Sequence, residues 1–158
     1  MKRTTAALAI TAAATILLAA SPAYSQRGVP PPAPCGDANT KTYLMFPFIT
    51  NQAGFDTGMA IANTNTDPFG TVPVAATCTL NFYGAGAPAV PVVTPSIASG
   101  TDYAFLASTI APGFQGYMIA SCNFPLAHGF AFISDLGAKN LAMGYLPTNI
   151  CSPRVAPE

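Results

Sequence analysis

Apolar and polar residues alternate with a period of two along most of the chain after residue 40, and turn residues interrupt the alternation at short intervals. This pattern is typical of β-strands that bury one face. It predicts eight strands: Tyr43 to Thr50, Thr57 to Asn65, Val72 to Tyr83, Val90 to Pro95, Asp102 to Ser108, Gln115 to Phe124, Gly129 to Asp135 and Leu141 to Leu146. Seven or eight short strands at this spacing favour an all-β, immunoglobulin-like β-sandwich, with a small β-barrel as the alternative.

The first predicted strand, Tyr43 to Thr50, contains a proline at position 47. Because proline has no N–H to donate to a central ladder, we expect this strand at the edge of a sheet or at a bulge. An unpaired edge recruits another strand unless something blunts it. The strand therefore supplies a predicted interaction edge, formed by Tyr43, Leu44, Met45, Phe46, Phe48 and Ile49.

The N-terminal part of the chain has the composition of a secretory signal peptide. Lys2-Arg3 precede an uncharged run from Thr4 to Ala20, and the small-residue pattern Ala23-Tyr24-Ser25 follows. We expect cleavage after Ser25 and export to the periplasm, the cell surface or the medium. A Pro-rich segment over residues 26–40, a β-sandwich domain over residues 41–151 and a tail over residues 152–158 complete the predicted organisation. No later run approaches the roughly 20 apolar residues of a membrane helix, so no membrane span is expected.

Four cysteines in an exported chain are most simply two disulfides, for which three pairings are possible. Cys78 and Cys122 each lie on the apolar side of a predicted strand, whereas Cys35 and Cys151 lie at the two ends of the domain. We therefore predict the pairs Cys78–Cys122 and Cys35–Cys151. Since no C-x2-C spacing occurs, a metal site is not favoured, and we expect no cofactor.

Charged side chains make up only 8% of the chain, against roughly a quarter in an ordinary domain. Residues 26–158 carry four basic and six acidic side chains, so the sequence offers no basic patch for nucleic acid. Two explanations of the low charge are open. Either Asn, Thr, Ser and Gln solubilise an extracellular surface, or neighbouring copies of the chain cover part of that surface in a homo-oligomer.

The tripeptide Asp56-Thr57-Gly58 resembles the catalytic motif of retroviral-type and pepsin-like aspartic proteases, with an echo in Ala142-Met143-Gly144. The resemblance covers little of the chain, and Met59 stands where that family usually has a small residue. The chemistry needs two carboxylates that share a proton, so the resemblance implies a symmetric dimer with Asp56 from each chain. A strand that begins after the turn Gln52 to Gly54 explains the same residues, and we expect no catalytic residue here.

Two further groups of residues have side chains that could carry chemistry. His128 is the only histidine, and because no G-x-S-x-G context accompanies it, we expect a turn histidine. Asn63, Asn65 and Asp67 place oxygens at alternate positions as a calcium loop does, but Pro68 stands where an EF-hand needs glycine. An Asx-type turn explains these residues equally well, so calcium binding is open.

Tyrosines offer a possible surface for a carbohydrate or another extracellular polymer. The chain has no tryptophan, and tyrosines of a sandwich often belong to the core or to its corners. The candidates for such a ligand-binding face are Tyr83, Tyr103, Tyr117 and Tyr145.

Three longer motifs resemble a family of secreted bacterial proteins that share the patterns P-F-I-T-N-Q-x-G-F-D-T-G, G-F-Q-G-Y and A-H-G-F-A-F-I-S. In this chain they are Pro47 to Gly58, Gly113 to Tyr117 and Ala127 to Ser134. The resemblance covers most of residues 26–158. It implies export and a β fold, and no activity, because none is assigned to that family.

These observations favour a secreted, non-enzymatic structural or interaction protein that self-associates in an extracellular or cell-surface assembly. Part of the reason is the run of small residues in Gly58-x-Ala60-x-Ala62 and Ala142-x-Gly144, since a strand face without bulk lets another backbone approach closely. A ligand-binding module for carbohydrate or a surface polymer is the alternative hypothesis, and a dimeric aspartic protease is the third.

Overall fold

The computed structural model describes residues 40–151, which form two antiparallel β-sheets. The predicted signal peptide, the tail over residues 152–158, Cys35 and almost all of the Pro-rich segment lie outside the described residues. The elements are β1 (Thr42–Thr50), β2 (Asp56–Asn63), β3 (Cys78–Ala85), β4 (Val92–Val93), β5 (Asp102–Leu106), α1 (Ala107–Ile110), β6 (Gln115–Cys122), β7 (Ala127–Ser134), β8 (Ala142–Tyr145) and β9 (Thr148–Asn149). The all-β prediction is confirmed, and no helix within residues 40–151 is long and apolar enough to cross a membrane.

Five strands form sheet A in the order β4-β3-β6-β1-β9, and four form sheet B in the order β5-β2-β7-β8. Two open sheets that bury a shared interior are the layout of a β-sandwich, and they do not form the single closed sheet of the alternative barrel. The interior is filled by side chains from alternate positions of both sheets. The largest of them are Leu44, Phe46, Ile49, Met59, Ile61, Leu80, Phe114, Met118 and Phe124.

The predicted disulfide Cys78–Cys122 is confirmed. The two residues lie directly opposite each other on β3 and β6, with their Cα atoms 4.0 Å apart and both side chains fully buried. The bond therefore joins neighbouring strands of one sheet, whereas the disulfide of antibody domains joins the two sheets. Cys151 is also disulfide-bonded, but its predicted partner Cys35 lies outside the described residues, so that pairing stays a prediction.

The first strand has the bulge that was predicted as the alternative to an edge. β6 pairs with β1 along one side, and on the other side β9 pairs only with Leu44 and Met45. The register between β1 and β6 shifts by one residue between Phe46 and Ile49, around Pro47. The bulge accommodates the missing N–H of Pro47 at a position beyond the two residues that β9 covers.

Other predicted strands are shorter than expected, and the one predicted from Val90 to Pro95 is reduced to Val92–Val93. The segment from Val72 to Thr77 is not a strand, and within it only Ala76 makes a β-bridge, to Ile97. The strand predicted to reach Ser108 ends at Leu106, where helix α1 begins. Pro73 accounts for the first difference, because it has no N–H for a ladder.

Replacing both cysteines of the in-sheet disulfide, Cys78→Ala/Cys122→Ala, should lower the free energy of unfolding by about 4 kcal/mol. The reason is that the bond closes a loop with a sequence separation of 44, which restricts the unfolded chain. Urea denaturation of the exported protein measures the change. The neighbouring cross-strand pair is a matched control, and Thr79→Ala/Ser121→Ala should have a much smaller effect. Equal denaturation midpoints for the cysteine variant and the wild type would contradict this prediction.

Candidate functional site

Asp56 begins β2, as predicted, and its carboxylate holds the start of helix α1. The side chain is 6% exposed. Its Oδ1 accepts hydrogen bonds from the N–H groups of Thr57 (2.8 Å) and Ser108 (3.1 Å), and its Oδ2 accepts one from the Ser108 hydroxyl (2.5 Å). The first N–H groups of a helix have no partner within it, so this carboxylate acts as a cap from a distant strand. That remote cap explains why local sequence did not indicate the helix.

Thr57 connects the two sheets. It is fully buried, and its hydroxyl donates to the carbonyl oxygen of Thr50 (2.8 Å) and accepts from the Thr50 N–H (3.0 Å). One side chain of sheet B therefore satisfies both backbone groups of the last residue of β1 in sheet A. Within this motif, Asp56 and Thr57 are both occupied by contacts that hold the fold together.

The residues of the predicted interaction edge divide into buried and exposed positions. Leu44, Phe46 and Ile49 are buried in the core, and β9 covers one side of the first half of β1. Beyond β9, the Tyr145 hydroxyl donates to the carbonyl oxygen of Phe48 (2.5 Å), next to the Thr57 contact with Thr50. These side chains hold backbone groups in the open stretch of the strand, which weakens the argument for strand recruitment there, and contact through this edge stays a prediction.

The predicted calcium ligands have separate hydrogen-bond partners. The Asn63 amide nitrogen donates to the carbonyl oxygens of Val74 (2.7 Å) and Ile97 (3.0 Å), and its oxygen accepts from the Asn65 N–H (3.3 Å). Asn63 therefore ties the segments before β3 and after β4 to the end of β2. Asn65 is fully buried, and its side-chain amide has no hydrogen-bond partner among the described residues.

Asp67 closes an exposed turn. Its carboxylate accepts from the Thr71 hydroxyl (2.5 Å) and from the Phe69 N–H (2.8 Å), and these hydrogen bonds hold the pKa of Asp67 below its usual value. This is the Asx-type turn that the sequence suggested as one explanation. Within residues 40–151 no group of three or more His, Cys, Asp or Glu side chains could hold a metal ion.

The four candidate tyrosines do not form one surface. Tyr83 and Tyr117 stack on the outer side of sheet A, with ring centroids 4.9 Å apart, and both are partly exposed. Tyr103 stacks on Phe105 at 5.2 Å, and Tyr145 reaches across to β1. Only the first two tyrosines could meet a ligand together.

The outer side of sheet B is apolar, and we call it the B face. Its residues lie in three rows across β5, β2 and β7, which the strand register defines as Leu106–Gly58–Phe132, Ala104–Ala60–Phe130 and Asp102–Ala62–His128. Leu106, Phe130 and Phe132 are 45%, 45% and 43% exposed. They border a shallow hollow of about 380 Å³ whose floor is the small residues of β2. Among these three rows polar groups appear only in the third, and the next row beyond the first is the polar pair of Asp56 and Ser134.

The outer side of sheet A is different. Thr79 lies opposite Ser121, and Asn81 lies opposite Ile119, so hydroxyl and amide groups interrupt the apolar side chains.

The period of two showed that Phe130 and Phe132 share one side of β7, but it could not tell which side is buried. His128 was predicted in a turn, and that prediction is wrong, because His128 lies in β7 at one end of the B face.

A second apolar hollow lies at the open side of the sandwich, beyond the end of β9. Its volume is about 420 Å³, and its lining includes Phe48, Phe55, Leu141 and Met143. It faces the stretch of β1 whose backbone groups are held by Thr57 and Tyr145, so its wall presents side chains and no free strand edge.

Comparison of the chain with protein-family models, with curated proteins and with solved structures found no match. The resemblance of the three longer motifs to secreted bacterial proteins therefore stays a prediction.

Removing the Asp56 carboxylate should destabilise the fold. Asp56→Ala leaves the buried amide of Thr57 and the amide of Ser108 without their acceptor, and it should lower the free energy of unfolding by about 2 to 3 kcal/mol. Asp56→Asn keeps one oxygen for both amides and should cost about 1 kcal/mol. Ser96→Ala, at an exposed position, is the control. Urea denaturation ranks the variants, and an Asp56→Ala protein as stable as the control would rule out the capping role.

The contact between Tyr145 and Phe48 predicts a pH dependence. Burial raises the pKa of Tyr145 from 10.0 to about 12, so the unfolded chain loses this proton before the folded protein does. The stability that the neutral phenol contributes is complete below pH 10 and is lost as pH rises toward 12. We expect a smaller loss of stability over this range in Tyr145→Phe than in the wild type, measured by thermal unfolding. If the melting temperatures of the two proteins fall in parallel between pH 10 and 12, the phenol of Tyr145 does not contribute to the pH dependence of stability.

Proposed function

We propose that the protein is an exported structural or interaction protein that self-associates through the B face. The observation that carries this proposal is the exposure of three large apolar side chains on one face, Leu106, Phe130 and Phe132. They surround a shallow hollow whose floor consists of the small residues of β2. Contiguous exposed apolar patches beyond a few hundred Å² are uncommon on monomers and mark interaction surfaces. The low charge of the chain fits the same explanation.

The glycine in the centre of the B face supports an interaction surface. A Cβ atom added to Gly58 would meet only ordinary contacts, to Leu106 Cδ2 at 3.7 Å and to the Phe132 oxygen at 3.8 Å. By contrast, a Cβ at Gly129 would meet Phe46 Cζ at 2.9 Å, so the core itself requires that glycine. Glycine within a strand costs about 0.5 to 1 kcal/mol relative to alanine. Among residues 40–151 no contact requires that cost at position 58, whereas close approach of another surface would.

Export is part of the proposal. The charged start, apolar run and small-residue pattern of residues 1–25 support it, and disulfides such as Cys78–Cys122 persist mainly in oxidising compartments. The immunoglobulin-like kind of sandwich also stays a proposal. Two antiparallel sheets support it, while a disulfide within one sheet departs from the antibody pattern.

A ligand-binding module is the second candidate function, and one observation favours it. The exposed Tyr83, whose ring stacks on that of Tyr117, lines a small hollow of about 160 Å³ together with Asn81 and Pro88. Aromatic rings beside a few polar groups are typical of small-ligand sites. We rank it second because the two rings already stack on each other across neighbouring strands, which stabilises a sheet without any ligand.

Self-association predicts that a charge in the centre of the B face produces monomers. Phe132→Lys should raise the dissociation constant at least about thirtyfold, because loss of a central aromatic anchor costs about 2 kcal/mol or more. Val93→Lys is the matched control, since Val93 is an exposed apolar residue on sheet A. Sedimentation equilibrium of the exported protein, across micromolar concentrations, measures both.

Gly58→Val separates association from folding. The added Cβ atom meets only ordinary contacts and valine is favoured in strands, so we expect thermal stability not to fall, but the variant should dissociate as Phe132→Lys does. A wild-type protein that stays monomeric throughout, or variants that associate as the wild type does, would reject this function and favour ligand binding at the Tyr83 and Tyr117 pair.

A further inference from the structure

The three rows of the B face differ in a way that restricts how two copies can meet. In each row the β2 residue is small, and the flanking residues on β5 and β7 differ in size or charge. The second row has Ala104 on one flank and Phe130 on the other, and the third row has Asp102 on one flank and His128 on the other. The face is therefore complementary to itself when its two flanks are exchanged.

Two identical faces can be related by a twofold axis that lies between them, and the strands of the two copies stay aligned when that axis runs along the strands or across them. An axis across the strands, through the second row, would place β7 on β7. Phe130 would then lie on the partner's Phe130, Ala104 on the partner's Ala104, and Asp102 on the partner's Leu106. That arrangement crowds one flank, leaves a gap at the other, and buries a carboxylate against an apolar side chain, which is unfavourable.

An axis along the strands exchanges the flanks. It places Phe130 over the partner's Ala104, Phe132 over the partner's Leu106, and the small residues of β2 over their own copies. It also places Asp102 opposite the partner's His128, so that an imidazole N–H meets a carboxylate, and the symmetry forms this contact twice. In the second row a large residue then meets a small one, as in well-packed interfaces between sheets.

We propose that two copies pack B face to B face about a twofold axis that runs along β2, with two Asp102–His128 contacts that fix the register. This proposal rests on the self-association proposed above and adds its symmetry and its register. A twofold interface of this kind closes on itself, so the B face produces dimers and leaves no copy of this surface free to extend a fibre.

A charge exchange tests the register. His128→Asp places an aspartate opposite the partner's Asp102 at both contacts, and since like charges across an interface are destabilising, the dissociation constant should rise at least about tenfold. Adding Asp102→Lys to that variant places opposite charges at both contacts and should restore the dissociation constant to within about threefold of the wild-type value. Thr148→Asp, on sheet A, adds the same charge elsewhere and should change nothing.

The outcomes separate this proposal from the one on which it rests. The first case is that Phe132→Lys dissociates the dimer while His128→Asp leaves the dissociation constant unchanged, or the double variant does not restore that constant. This result overturns the axis along β2 and retains association through the B face. A wild-type protein that is monomeric rejects both. Circular dichroism of each variant confirms that it is folded. Dissociation of the same dimer by Gly58→Val supports the close approach of the two β2 strands, and a Gly58→Val dimer as tight as the wild type contradicts it.

Discussion

The pair of hydrogen bonds between the Thr57 hydroxyl and the backbone of Thr50 fixes β2 of sheet B against β1 of sheet A. Because side chains alternate along a strand, burying Thr57 decides the direction of every later residue of β2. Met59, Ile61 and Asn63 then point into the sandwich. A slip of one residue would turn these side chains to the surface and bury the small residues instead. The small residues of β2 therefore face outward, on the B face, because Thr57 is held against the end of β1.

The period of two was enough to predict the longer strands, because each has a core side that repeats every second residue. It also placed Cys78 and Cys122 on inward sides, which led to the confirmed pairing. It could not show that the two cysteines belong to one sheet. That information is in the register between β3 and β6, and a single sequence contains no direct signal for strand order.

Elements that depend on distant partners were the ones that the sequence did not predict. Helix α1 has four residues, and its start is capped by Asp56 from another strand. β9 has two polar residues, and it is a strand only because β1 lies beside it. The prediction of an edge or a bulge for β1 left coverage by β9 open for the same reason. The local rule for Pro47 correctly indicated a bulge, but whether a neighbour covers the strand is decided by residues about a hundred positions later in the chain.

The outward positions of β2 follow neither local preference nor the demands of the core. Strand interiors favour β-branched and aromatic residues, yet Gly58, Ala60 and Ala62 occupy the centre of sheet B, where a Cβ atom at position 58 would meet only ordinary contacts. The neighbouring positions on β7 carry Phe130 and Phe132, which are large and stay exposed. Departures from local rules without a gain inside the molecule are expected at functional sites. Both departures lie on one face, and the proposed packing of two copies through that face would account for both.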